Sequence, residues 1–166
     1  MPVATRTVRV GIVVGLIGYA AVAVFYTVFD LLAARGTFYT VNLLGMAVFR
    51  GLRDPEVLSL PMPLDWTAII WYNAMHLVIA LIIGLIVAWL IRYAELHPPR
   101  ALAVTFVIVA GFVVTIVAVG TLTAGMRPLL PWWSIVLSNT LAVLLGGVYL
   151  RRQRPGLLAR LVPLSA

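Results

Sequence analysis

Four long apolar stretches, at residues 10–32, 66–91, 101–122 and 132–150, dominate this sequence. Each is close to or longer than the roughly 20 residues that an α-helix needs to cross a hydrocarbon core about 30 Å thick. Membrane β-strands are shorter and alternate in polarity, which these stretches do not. The sequence therefore predicts an all-α integral membrane protein, with residues 1–166 forming a single membrane domain.

The composition excludes an ordinary soluble domain. Hydrophobic residues make up 63% of the chain and charged residues 10%, whereas soluble domains have roughly 45–50% and about 25%. The chain has no cysteine, so disulfides, thiolate nucleophiles and CxxC metal or redox motifs are excluded.

Arginine positions predict the orientation in the membrane. All 12 basic residues are arginine, and eight of them flank the stretches on the side of the N-terminus: Arg6, Arg9, Arg92, Arg100, Arg151, Arg152, Arg154 and Arg160. Because positive flanks stay in the cytoplasm, both termini are expected there. The net charge of +7 then lies on the inner face, where it indicates contact with anionic lipids rather than nucleic acid. The absence of lysine favours an arginine-biased genome and a bacterial inner, or plasma, membrane.

The first stretch resembles a secretory signal, since Arg6 and Arg9 precede it and Ala21-Val22-Ala23 has the small residues of a cleavage site. Signal cores are about 7–15 residues long, and this run continues to Leu32. We expect a retained first helix.

Short links at residues 92–100 and 125–133 favour antiparallel neighbours, and hence an up-down bundle of four transmembrane helices. The first link, residues 33–65, is far longer than usual. Within it, residues 37–53 predict an amphipathic helix on the outer surface. Its function is either to cover the bundle or lie in the headgroups, or to act as a lid or docking surface for a partner. Its apolar face contains Phe38, Val41, Val48, Phe49 and Leu52, and its opposite side Asn42, Arg50 and Arg53.

His76 is the least expected residue inside a stretch. It lies ten residues beyond Trp66, about 15 Å deep at 1.5 Å per residue. Ionisable groups at this depth need a partner. Ala80 and Gly84 recur on the same helical face as His76, and small residues allow another helix to approach closely. The GxxxG motif at Gly11 and Gly15 in the first stretch is also typical of close helix packing. His76 is therefore expected to face protein.

Depth also predicts a polar cluster in the outer half of the bundle. Asp30 is expected to pair with Arg35 or Arg127, a kind of surface ion pair that contributes little. Glu95 and His97 fit a solvated helix end. The predicted cluster consists of Tyr26, Asp30, Asn73, His76, Thr115 and Asn139.

Three interpretations of the cluster remain open. His76 and Asn73 could hydrogen-bond neighbouring helices and fix their register. They could instead bind a redox cofactor, with His76 as axial ligand to a haem or chlorin or as donor to a quinone. A bis-histidine haem is disfavoured, because His97 lies about 30 Å away along the helix. The third interpretation is a proton or solute path through Asp30 and His76.

The sequence lacks the common motifs of enzymes and nucleotide-binding proteins. The sequence has no HExxH, no paired carboxylates at helical spacing, no GxSxG and no glycine-rich phosphate or dinucleotide loop, so neither an enzyme nor a protein-only metal site is favoured. The leading hypothesis is a multi-pass protein acting by association, as an accessory subunit of a respiratory or photosynthetic type of complex or as a homo-oligomer. The alternatives are a redox subunit that binds a tetrapyrrole or quinone through His76, and a small transporter or channel.

Overall fold

The computed structural model describes residues 3–52, 54–56, 58 and 61–154, and within them the chain is helical, with no strand. Five α-helices follow in order: α1 (Val3–Leu32), α2 (Tyr39–Phe49), α3 (Trp66–Leu96), α4 (Ala101–Leu122) and α5 (Trp132–Gln153). The four long helices are apolar and long enough to cross a membrane, as the four stretches predict. Arg53 and Arg160 lie outside the described residues.

Local sequence explains the helix ends. The Asp65 carboxylate accepts a hydrogen bond from the amide of Ala68 at 3.0 Å and so caps the start of α3. Proline at positions 98 and 99 disfavours continuation of α3, and α5 begins directly after Pro131. Helix α1 starts earlier than residue 10, because arginine is a good helix former and nothing in residues 3–9 interrupts the helix.

α1 and α3 cross at backbone contact distance. A Cβ atom on Gly15 would lie 2.7 Å from the carbonyl oxygen of Ala80, and one on Gly11 would lie 2.8 Å from Cα of Leu85. From the other side, a Cβ on Gly84 would run into backbone atoms of Gly11 and Gly15. The two small-residue stripes of the sequence therefore face each other, as glycine-mediated helix packing requires.

α5 also packs against α1. Ser134 and Ser138 of α5 are fully buried, and Val10 of α1 clusters with Leu150 of α5 and Ile91 of α3. A hydrogen bond of 3.4 Å from Arg6 Nη2 to the carbonyl of Gln153 brings the start of α1 next to the end of α5. We call this end of the bundle, with residues 3–10, 90–104 and 146–154, the arginine end.

α2 closes the opposite end, which we call the capped end: α2, residues 124–134 and the adjoining ends of α1 and α3. Leu43 of α2 is completely buried, and a Cβ on Gly45 would lie 2.6 Å from the carbonyl oxygen of Ala68. This end contains the largest apolar core, formed by Leu43, Leu44, Ala47, Leu58, Met126, Leu130 and Ile135.

α2 is shorter than the helix expected over residues 37–53, and its Asn42 side chain faces the protein. The helix covers only Tyr39–Phe49. Phe38 and Val48, assigned to the apolar face, are 43% and 48% exposed, whereas Asn42 is completely buried. The Asn42 side chain donates to the carbonyl of Pro63 at 3.0 Å and accepts from the amide of Asp65 at 2.9 Å. The buried Asn42 side chain thus provides hydrogen-bond partners for two backbone groups that lie outside the helices.

α4 is attached mainly at its ends. Ala101 and Val104 pack against Ala94 of α3, and Gly120 lies under the ring of Trp132. Between them, no residue in the range 105–119 is buried. The bundle is therefore close-packed around α1 and open along the middle of α4.

Candidate functional site

A partly open cavity of about 120 Å³ lies between α1, α2 and α3 at the capped end. Four residues of the predicted polar cluster line it: Tyr26, Asp30, Asn73 and His76. The other lining residues are Val22, Ala23, Thr27, Thr37, Phe38, Thr40, Val41, Leu44 and Tyr72. The cavity thus combines an apolar wall with several hydrogen-bonding groups.

His76 borders this cavity, and its imidazole has no hydrogen-bond partner among the residues that the structure describes. The ring lies between Tyr19, at a centroid distance of 5.2 Å, and Tyr72, at 6.2 Å. In the described part of the chain, every fully enclosed side-chain nitrogen or oxygen has a hydrogen-bond partner. No described residue hydrogen-bonds to the ring nitrogens of His76 or to the hydroxyl of Tyr72, so these groups face accessible space.

Asn73 is held in one orientation by two hydrogen bonds. The Tyr19 hydroxyl donates to Asn73 Oδ1 at 3.0 Å, and Asn73 Nδ2 donates to the carbonyl of Ile69 at 2.9 Å. The same tyrosine therefore contacts the ring of His76 and fixes its neighbour one turn away. α1 and α3 are joined here by a polar contact across the helix pair.

Asp30 anchors α2 rather than an arginine. Its carboxylate is 1% exposed and accepts from the amide of Thr40 at 2.7 Å and from the Thr40 hydroxyl at 2.6 Å. Both donors belong to the first turn of α2, whose free amides and partial positive charge favour a carboxylate.

The expected ion pair of Asp30 was wrong, since among the described residues neither arginine forms one with it. Arg35 donates to the carbonyl of Leu129 at 2.7 Å and lies over the ring of Tyr39. Arg127 lies over the ring of Trp132. The carboxylate is buried beneath α2, where backbone amides reach it and long exposed side chains do not.

Tyr26 links the cavity to α5. Its hydroxyl lies 3.4 Å from the Ser134 hydroxyl, which itself donates to the carbonyl of Pro131 at 2.7 Å. Because Ser134 uses its hydrogen on Pro131, Tyr26 is the donor in this pair. Ser134 thus accepts a hydrogen bond from α1, and Ser138, one turn further along α5, is also fully buried.

Thr115 and Asn139, the other two residues of the predicted cluster, are not among the described residues that line the cavity. The Thr115 hydroxyl donates to the carbonyl of Gly111 and the Asn139 side chain to the carbonyl of Ile135, both at 2.8 Å on their own helices. Their positions in the sequence predicted how deep the two residues lie in the bundle, but not which way their side chains point around the helix axis.

Sequence reasoning also missed lining residues. Tyr72 lies one turn before His76 on the same stripe, so its helical spacing was the available signal. Thr40 had no such signal, because its position depends on how the first link folds back over α1.

Two ionisable groups outside the spans show how the cap is fixed. The Arg50 guanidinium donates to Asp65 at 2.8 Å, and this bond, together with the Ala68 amide, lowers the pKa of Asp65. Burial raises the pKa of Tyr39, whose hydroxyl donates to the carbonyl of Leu58 at 3.1 Å. Both interactions hold α2 against the chain that leads into α3.

The described residues contain no group of three histidine, aspartate or glutamate side chains able to hold a metal ion. Comparisons with protein-family models, with curated proteins and with solved structures find no match to this chain. The chemistry of the cavity therefore has to be argued from its own residues. They offer an imidazole, a phenol and a carboxylate around a volume with apolar walls.

Proposed function

We propose that this chain is a membrane subunit whose cavity at the capped end binds the headgroup of a quinone-class compound. The observation that carries the proposal is a cavity of about 120 Å³ bordered by the unpaired imidazole of His76. A closed apolar cavity of about 150 Å³ in another protein holds benzene, so a partly open cavity of this size suits one six-membered ring. A haem or chlorin macrocycle has four pyrrole rings and is much larger.

The polar lining matches the two forms of such a ring. A quinone has carbonyl oxygens that accept hydrogen bonds, and His76 and Tyr72 have hydrogens that no described residue accepts. A quinol has hydroxyl groups that donate, and a neutral imidazole such as that of His76 has one ring nitrogen that accepts. Binding sites of this kind typically combine apolar walls with a few placed polar groups.

A titration of the purified protein in neutral detergent with decylubiquinone tests this proposal, with tryptophan fluorescence quenching as the readout. We expect His76→Ala to weaken binding about tenfold, equivalent to about 1.4 kcal/mol. Tyr72→Phe should weaken it about fivefold, as for one hydrogen bond of about 1 kcal/mol. Asn139→Ala, a polar residue outside the cavity, is the matched control and should bind as the wild type does. Equal affinities for the wild type and folded His76→Ala would refute the proposal.

A second candidate function, association with another membrane subunit, rests on α4. No residue in the range 105–119 is buried, and Phe106, Val113 and Val114 are 73%, 51% and 64% exposed, so these side chains are available to a partner's transmembrane helix. In this proposal the chain is a non-catalytic accessory subunit of a respiratory or photosynthetic type of complex. Purification in mild detergent with native mass determination tests it. A defined hetero- or homo-oligomer supports it, and a lone monomer contradicts it.

The transporter alternative has less support. One turn below His76, the backbone of α3 at Ala80 and Gly84 contacts α1 at Gly15 and Gly11. Such backbone contact leaves no room for a water-filled path between these two helices.

The placement in the membrane is part of the proposal. We infer that the four spans run up and down through a plasma membrane with both termini in the cytoplasm, supported by the arginines of the arginine end. Because the chain has no cysteine, single-cysteine variants give a clean test with an impermeant maleimide on intact cells. Pro61→Cys should be labelled from outside, and Gln153→Cys only after permeabilisation. The reverse pattern would invert the topology.

A further inference from the structure

The arginine end divides its arginines into two classes. Glu95 forms ion pairs with Arg92, at 3.4 Å, and with Arg154. Arg100 bonds to the hydroxyl of Tyr93 and lies over its ring at 5.8 Å. Each of these three guanidinium groups is held by a side chain of the protein, either a carboxylate or a tyrosine.

The other four described arginines of this end have no acidic partner among the described residues. Arg6 and Arg9 are one turn apart on α1, and Arg151 and Arg152 follow each other in the last turn of α5; all four are exposed. The hydrogen bond from Arg6 to the carbonyl of Gln153 places the start of α1, with Arg6 and Arg9, beside the last turn of α5, with Arg151 and Arg152. Glu95 is the one acidic residue near this end in the sequence, and it already pairs with two arginines.

Apolar side chains adjoin this charged surface. Val8 and Ile12 of α1 are 51% and 40% exposed, and Val148 of α5 is 49% exposed. A ligand that fits both parts has an anionic headgroup and hydrocarbon chains. Guanidinium groups suit phosphate particularly well, because their planar donors match its oxygens.

We propose that Arg6, Arg9, Arg151 and Arg152 form a binding surface for an anionic phospholipid, whose acyl chains lie along Val8, Ile12 and Val148. The surface is continuous with the ends of two apolar spans, where headgroups lie, and its charge is complementary to a phosphodiester. This inference is independent of the cavity and does not rest on the proposed function.

Native mass spectrometry with added lipid tests this surface. The purified protein in neutral detergent is titrated with dioleoyl phosphatidylglycerol and, separately, with dioleoyl phosphatidylcholine. The wild type should bind phosphatidylglycerol more tightly, and added salt should reduce that preference because charge interactions are screened. Arg151→Gln/Arg152→Gln and Arg6→Gln/Arg9→Gln should each lower the preference about tenfold.

The matched control is Arg100→Gln/Arg127→Gln, which removes the same charge from two arginines held by aromatic rings. It should keep the preference within about twofold. An equal loss in the control would show that total charge, not this surface, attracts the lipid, and would overturn the proposal. So would a wild type without preference, or displacement of the lipid by an equal concentration of glycerol phosphate, which has no acyl chains. Unchanged melting temperatures in phosphatidylcholine establish that the variants are folded.

Discussion

Helices α1 and α3 are in close contact with each other, whereas α4 is attached mainly at its ends, although all three helices are strongly apolar. α4 is the most apolar of the four spans, yet it has the smallest share of buried residues. α5 is the least apolar, and it has the largest share. α1 and α3 meet through glycines and share the hydrogen bond from Tyr19 to Asn73, whereas the glycine in the middle of α4 makes no close contact with another helix.

The difference shows what holds helices together in this protein. Lipid is as apolar as leucine, so hydropathy places a helix in the membrane without attracting it to its neighbours. Close association comes from small residues that let backbones approach, and from polar side chains that bond across helices. α4 has one glycine in its middle, Gly111, and no atom comes within 4 Å of a Cβ built there.

The largest expected effect comes from adding one methyl group at the crossing. Gly84→Ala would drive a Cβ into backbone atoms of Gly11 and Gly15, which cannot move aside as a flexible side chain can. We expect a loss of about 3 kcal/mol, the upper part of the range for overpacking, measured as the unfolding free energy in detergent. Gly111→Ala makes the same chemical change in open space and should be close to neutral. If the two variants were equally stable, the crossing would not be the contact that holds the bundle.

The second effect concerns the polar anchor of α2. Asp30→Ala removes the acceptor of two donors on Thr40 and should cost about 2 kcal/mol, as expected for hydrogen bonds to a charged group. Amide hydrogen exchange should rise first in the initial turn of α2. Thr40→Val removes only the hydroxyl bond and should have a smaller effect. Unchanged exchange in α2 of Asp30→Ala would show that apolar packing alone holds this cap.

The sequence predicted part of this difference between the helices. Length and hydropathy located the four long helices, because burial in lipid depends on composition alone. The stripe of Ala80 and Gly84 indicated which face of α3 meets another helix, because helical spacing determines faces. The direction of Thr115 and the burial of Asn42 were not predictable, since both depend on the tertiary position of a helix around its neighbours.

The cavity shows the same limit. His76 and Asn73 share a face through their spacing of three residues, so the sequence could place them together. Asp30 meets Thr40 only because residues 33–38 turn the chain back on itself, with Ala34 and Gly36 at positive φ values of 54° and 85°. Such a reversal has no periodic signature, and an exposed arginine was therefore the more obvious partner for Asp30.

A smaller effect tests the hydrogen bond between α1 and α3. Tyr19→Phe removes the donor to Asn73 while keeping the ring beside His76. Hydrogen bonds between membrane helices contribute about 0.6 kcal/mol on average, and we expect about that loss in unfolding free energy. Thr115→Val on α4 removes a hydroxyl that bonds only to its own helix and should change stability less. A larger loss for Thr115→Val would contradict the assignment of cross-helix bonds to the α1–α3 pair.

The smallest expected effect on stability comes from the charge of Asp65, which pairs with Arg50 where the chain from α2 enters α3. Arg50 lowers the pKa of Asp65 in the folded protein. The stabilisation by this ion pair is therefore complete above the ordinary aspartate pKa of about 3.9. It is lost as the pH falls through the lower folded value, because the unfolded chain then binds more protons. Asp65→Asn keeps a good helix cap and removes the charge, so it should melt slightly below the wild type at pH 7. The two melting temperatures should converge in strong acid. A gap that persists below the folded pKa would mean that the charge of Asp65 does not cause the difference in stability.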